Sequence, residues 1–221
     1  LDGIEDVTGL CGYGTVTSDA WRGCPKSGSG NYPRGRAKGI DAIIPPRTAQ
    51  DMQKEKDESL AAMYKAEAIK VRPHILLCAV CQYGGGTKPP FPDDNLPELV
   101  ALIRQAPDTL ITLVPYADWM MCAPCPTRAP GLNACVNNKG SGGLPNQMRD
   151  LRVLQKLGLT YGSAIKARAL YQLIFRRITG TLEICGLEQP KPSVWWTGCG
   201  AATANSENFE KGRKLLMAQW R

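Results

Sequence analysis

The sequence holds a single histidine, His74, among 221 residues, and only three Phe. With so little imidazole, neither a His-rich zinc site nor a Ser/His/Asp hydrolase triad has more than His74 to build on. No dinucleotide fingerprint and no phosphate-binding loop appears. Carboxylates paired for acid–base work are also missing. The longest apolar run, around Ile75–Val80, falls far short of the roughly 20 residues that span a bilayer. There is no Lys/Arg block and no basic strand interleaved with aromatics, so nucleic acid has no strong signal. No charged-then-apolar leader is visible.

What the sequence has is sulfur and local positive charge. It carries nine Cys and a net charge of +7, in a chain that is 43 % hydrophobic and 21 % charged, an ordinary globular balance. Residues 146–221 hold twelve Lys/Arg against five Asp/Glu, which accounts for the whole excess. Such a face suits an acidic partner protein, although a solvated set of helix faces explains it more plainly.

Residues 1–46 are rich in Gly, Pro and Ser and show no helical period, which reads as an irregular N-terminal arm ahead of a domain at 47–221. Thr48 with Asp51 opens a charged helix expected to run to about Lys70, with Leu60, Met63, Tyr64 and Ala68 as its buried stripe and the run Lys54–Glu58 toward water. After the short apolar stretch Ile69–Val80, Gly84-Gly85-Gly86 forces a loop. Asn95 is expected to cap a helix to about Gln105, and Thr109–Val114 is strand-like. A Cys/Pro/Gly loop covers 122–145. Helices follow at 146–157, 162–178 and 205–219, with a loop at 180–204. The expected fold is helix-rich α+β, a single compact domain with short strands and Cys-rich loops.

The cysteines stand at 11, 24, 78, 81, 122, 125, 135, 185 and 199. Two Cys-x-x-Cys pairs, Cys78/Cys81 and Cys122/Cys125, have the spacing that lets two sulfurs converge on one ion from a single turn of chain. Pro124 and Pro126 stiffen the second turn, and Cys135 follows Pro130-Gly131, where the chain can fold back. Cys-x-x-Cys-Pro with a third Cys nearby and a fourth from afar is a pattern of iron–sulfur ligation, typically 4Fe-4S. Zinc accepts the same thiolates. An all-disulfide framework is poorly motivated in a chain of this size with an odd Cys count, though Cys11 and Cys24 could pair if the protein is exported. His74 could ligate metal or hydrogen-bond a cluster sulfur, Arg72 could offset cluster charge, and Gly84 and Gly85 could bring backbone N–H groups close to sulfide. Asp118, Trp119, Trp195 and Trp196 could line a pocket beside the metal; core packing and a cap on the cysteine turn are the plainer roles.

Arg72-Pro73-His74-Ile75-Leu76-Leu77-Cys78 resembles the R-x-H-H-L-L-C opening of a family of small prokaryotic proteins, a domain of unknown function described as iron–sulfur binding. The collinear features are the Gly-rich stretch to Phe91, D-x-x-x-C-x-x-C-P at Asp118–Pro126, Cys135, a helix with Asp150 and Leu154, Ile184-Cys185-Gly186, and Trp195-x-x-x-Cys199. The resemblance covers about residues 68–200. It implies Cys78, Cys122, Cys125, Cys135, Cys185 and Cys199 as ligands. Ile75 replaces the second His of the motif, a later family Cys is missing, and Cys81 is extra and could stand in for it.

The expectation is an iron–sulfur protein carrying one or two clusters, acting in electron transfer or as the cluster-bearing partner of a redox enzyme. A structural zinc module is the alternative, and a cluster enzyme with an open iron position is a third. Cluster assembly points to the cytoplasm, while the opening Leu1 and the Cys11/Cys24 arm leave export open.

Overall fold

A four-residue strand explains where the charged N-terminal helix stops. The computed structural model describes residues 30, 34, 47–129, 133–135, 144–186 and 204–220. Helix α1 (Ala49–Lys65) is capped as expected, with Thr48 Oγ1 accepting from Asp51 N at 3.1 Å. It ends five residues before Lys70, because Ile69 and Val71 alternate inward as strand β1 (Ala68–Val71). The buried face of α1 is Lys56, Ser59 and Met63; Tyr64, placed in the stripe by the sequence, is 56 % exposed. Lys56 turns inward because Glu98 Oε1 lies 2.7 Å from its Nζ and Asp94 O accepts from it at 2.6 Å. The charged run therefore does not all face water.

The apolar stretch that follows divides into β1 and helix α2 (Pro73–Gly84). Pro73 sits where a helix needs no N–H. Every residue from Pro73 to Cys81 is buried. A helix apolar on all sides belongs in the middle of a domain, and α2 packs against α3 (Leu96–Gln105), α5 (Leu144–Leu157) and α8 (Glu207–Gln219). Its meeting with α8 is backbone to backbone: a Cβ on Gly84 would lie 1.8 Å from Asn208 O, and one on Gly212 would lie 2.2 Å from Val80 O. Ser206 caps α8 by accepting from Phe209 N, and Phe209 is fully buried against Phe175.

At the start of α3 it is Asp94, not Asn95, whose side chain accepts from a helix N–H, that of Leu96 at 2.9 Å. The Asn95 amide donates instead to Ser59 Oγ and Met120 O. Strand β2 (Leu110–Leu113) pairs in parallel with β1, Ala68 opposite Leu110. Strand β5 (Ala164–Lys166) pairs antiparallel on its other side, giving the order β1-β2-β5. Of the residues expected to be helical from 162, Ala164–Lys166 are strand, with Ile165 opposite Ile111, and helix α6 (Ala167–Arg177) starts after them. Helix α4 (Trp119–Cys122) ends where the expected Cys/Pro/Gly loop begins, strands β3 (Arg128–Ala129) and β4 (Ala134–Cys135) lie within that loop, and α7 (Leu182–Cys185) lies within the loop at 180–204.

Thr48–Arg221 forms a helix-rich α+β unit. The arm expected over 1–46 lies outside the described residues, Gly30 and Arg34 excepted. Among the described residues no helix is long and apolar enough to cross a membrane.

A candidate sulfur site beside a buried arginine

Asp118 caps the one-turn helix α4, accepting from Met120 N at 2.9 Å. Asn95 fixes where that helix sits, donating its backbone N–H to Met121 O and its side chain to Met120 O. The chain then turns tightly. Cys125 N donates to Cys122 O at 3.0 Å, and Arg128 N donates to Cys125 O at 3.1 Å. The short antiparallel ladder of β3 and β4 sets Cys135 opposite Arg128, which returns the third sulfur to the turn. Thr127 Oγ1 lies 3.2 Å from Cys125 Sγ and 3.8 Å from Cys135 Sγ. The two sulfurs are thus no further apart than the sum of those distances.

Burial pushes two of the thiols, Cys122 and Cys125, upward. Burial, then negative charge on Cys125 and Cys135, pushes the Cys122 thiol far up, and the Arg72 guanidinium pulls it back. Burial also raises Cys125, against the Thr127 hydrogen bonds. A buried thiol with a raised pKa is a poor nucleophile at neutral pH. It becomes a good ligand once a cation replaces its proton.

Arg72, 4 % exposed, is held by Asp150 on α5: Nε and Nη2 donate to Oδ2 at 2.9 and 2.6 Å. The other carboxylate oxygen accepts from His74 N at 2.9 Å and lies 2.7 Å from His74 Nδ1. Burial lowers the His74 pKa more than Asp150 raises it, so the ring stays neutral and donates through Nδ1. Burial alone would raise the Asp150 carboxyl; His74 and Arg72 outweigh it and hold the carboxyl below its ordinary value. The pattern is an ionised carboxylate that fixes one guanidinium and one imidazole.

A cavity of about 250 Å³ opens beside the third sulfur, lined by Arg72, Tyr116, Ala117, Asn133, Ala134, Cys135 and Gln147. Arg128, 4 % exposed, braces its wall through Ala117 O, Asn133 Oδ1 and Glu55.

The remaining candidates are placed elsewhere. Cys78 and Cys81 belong to the buried core on α2, at 9 % and 3 % exposure. Cys78 is near enough to Tyr171 on α6 for its charge to raise the Tyr171 hydroxyl, after burial. His74, expected as a metal ligand or a hydrogen-bond donor to sulfur, has its Nδ1 on Asp150. Gly84 makes its close approach to α8, and the N–H groups of Gly85 and Gly86 are bonded to Cys81 O and Tyr83 O, so they end a helix rather than point at sulfide. Cys185 ends α7 and packs on the core. Cys11, Cys24, Cys199, Trp195 and Trp196 lie outside the described residues. Among the described residues no set of three or more His, Cys, Asp or Glu side chains is arranged to hold a metal ion.

Thr127, Arg128, Asn133 and Gln147 were not singled out from the sequence. Asn133 carried the one readable signal: an Asn in a Gly/Pro loop before a Cys is a candidate for left-handed backbone. No protein-family model, curated protein or solved structure matches this chain.

Proposed function

We propose that the protein binds a thiolate-held metal centre, an iron–sulfur cluster, through Cys122, Cys125 and Cys135, and serves in electron transfer. The observation that carries this is the return of Cys135 by the β3–β4 ladder to the turn holding Cys122 and Cys125, next to the buried Arg72. Three soft donors on a proline-stiffened turn fit the ligand chemistry of such a centre. Arg72 offsets part of the negative charge the thiolates acquire, and Thr127 supplies a hydroxyl to two of the sulfurs. A bound cluster supplies one-electron redox chemistry without bond making. A reduced protein would donate the electron and an oxidised one accept it. Cys185 or Cys199 would supply a fourth ligand.

For a redox partner, an acidic protein is the proposed class. Several basic side chains of the C-terminal third are already ion-paired, Lys156 with Glu183 and Arg213 with Glu210 among them. Arg176, Arg177 and Lys214 stand exposed, and a charge-complementary partner would meet those.

The test is purification without oxygen followed by metal and acid-labile sulfide analysis. Iron with matching sulfide and a brown colour supports the reading. Stoichiometric zinc in a colourless protein would replace it with a structural zinc module, and protein free of metal after anaerobic loading with iron, sulfide or zinc would overturn it.

A further inference from the structure

The cavity beside Cys135 is unusual in the hydrogen-bonding character of its walls. Arg72 has five N–H donors and no acceptor, and Asp150 takes one from Nε and one from Nη2. Arg72 lines the cavity with its guanidinium fixed by Asp150 and three N–H donors left over from that pair. Asn133 is oriented too. Arg128 can only donate, so the Asn133 atom 2.7 Å from its Nη2 is the carbonyl oxygen, and the Asn133 NH2 remains as a donor. Gln147 adds an amide, Tyr116 a phenol, and Ala117 and Ala134 a small apolar wall.

The backbone around the cavity is held in an uncommon shape. Tyr116 has φ 66° and Asn133 φ 48°, and Ala117 N donates to Asn133 O at 2.8 Å between them. Left-handed backbone is tolerable for Asn but costs a bulky residue on the order of 1 kcal/mol or more. Tyr116 keeps that conformation as a residue 52 % exposed, so core packing does not account for it. Strain of this kind gathers at ligand sites, where neighbouring groups hold it in place.

We propose that this cavity binds a small carboxylate, its anionic end on Arg72 with the Asn133 and Gln147 amides as further donors, and its short apolar part against Ala117 and Ala134. At about 250 Å³ the space lies just below the roughly 300–1,000 Å³ usual for drug-sized ligands, which suits a small guest. The cavity shares Arg72 and Cys135 with the proposed metal site, but its donors to the guest are Arg72, Asn133 and Gln147, and binding does not require metal on Cys135.

Equilibrium dialysis of the metal-free full chain against radiolabelled propionate tests this. One equivalent should bind saturably, unlabelled propionate should compete, and propionamide should compete about tenfold less well because a charge-assisted bond to Arg72 is lost. Gln147→Glu puts a carboxylate on the cavity wall, where it would pair with Arg72 and repel the guest, and should weaken binding about tenfold or more. Gln147 is a half-buried residue on α5, so this variant should fold; its circular dichroism checks that. No saturable binding, equal competition by propionamide, or undiminished binding by folded Gln147→Glu would each overturn the proposal.

Discussion

Two Cys-x-x-Cys pairs share one spacing and differ in everything else. Cys78 and Cys81 lie one turn apart inside α2, a helix buried from Pro73 to Cys81, where the sulfurs behave as small apolar side chains. Cys122 and Cys125 straddle the exit of a one-turn helix, where the chain bends and a two-residue ladder brings a third sulfur back. Spacing alone does not make a ligand pair. A turn leaves sulfurs able to converge; a buried helix encloses its sulfurs among core side chains.

The variant that strikes both regions together should have the largest effect. Asp150→Ala removes the carboxylate that holds Arg72 near the sulfurs and His74 at the head of α2. A buried guanidinium left without its partner costs about 3–5 kcal/mol, measurable as a drop in the denaturation midpoint. Gly84→Ala strikes the α2 region alone. Its new Cβ would sit on Asn208 O, and overpacking of this kind costs about 1–3 kcal/mol, while metal content per folded molecule should be unchanged. Cys81→Ala should cost only about 1 kcal/mol, as a small buried group lost, again with metal retained. Stability losses from α2 variants accompanied by loss of metal would break the comparison.

The smallest expected effect is in pH dependence. Burial raises Asp94 to about 6, opposed by hydrogen bonds from Leu96 N and Gln82 and by Lys56. Because its folded pKa lies above the unfolded one, its contribution to stability is full at low pH and is lost as pH rises through about 4 to 6. Partial exposure keeps this to on the order of 1 kcal/mol. Asp150 and His74 run the other way: a lowered carboxyl and a lowered imidazole both lose stability as pH falls. Asp94→Asn in metal-free protein should remove the decline between about pH 4 and 6 and leave the acid-side loss. An unchanged profile would contradict the assignment.

The sequence disclosed local structure better than long-range placement. Thr48 caps α1 because its side chain and the Asp51 N–H are three residues apart, and Asp118 caps α4 by the same local chemistry. Strand β2 is β-branched and short, and β2 fell within the expected segment. What failed needed a partner far along the chain. Lys56 is buried because Glu98 waits for it, and Ile165 is strand because Ile111 pairs with it. In the site, the turn at Cys122–Cys125 and the fold-back to Cys135 were readable from Pro and Gly. The burial of Arg72 was not, since Asp150 lies 78 residues away.

The most direct measurement is metal content across the two cysteine regions, on protein prepared and loaded with iron and sulfide without oxygen. Cys122→Ala, Cys125→Ala and Cys135→Ala should each lose the bound metal, while Cys81→Ala keeps it. Full loading of the first three variants, or loss confined to Cys81→Ala, would contradict the account.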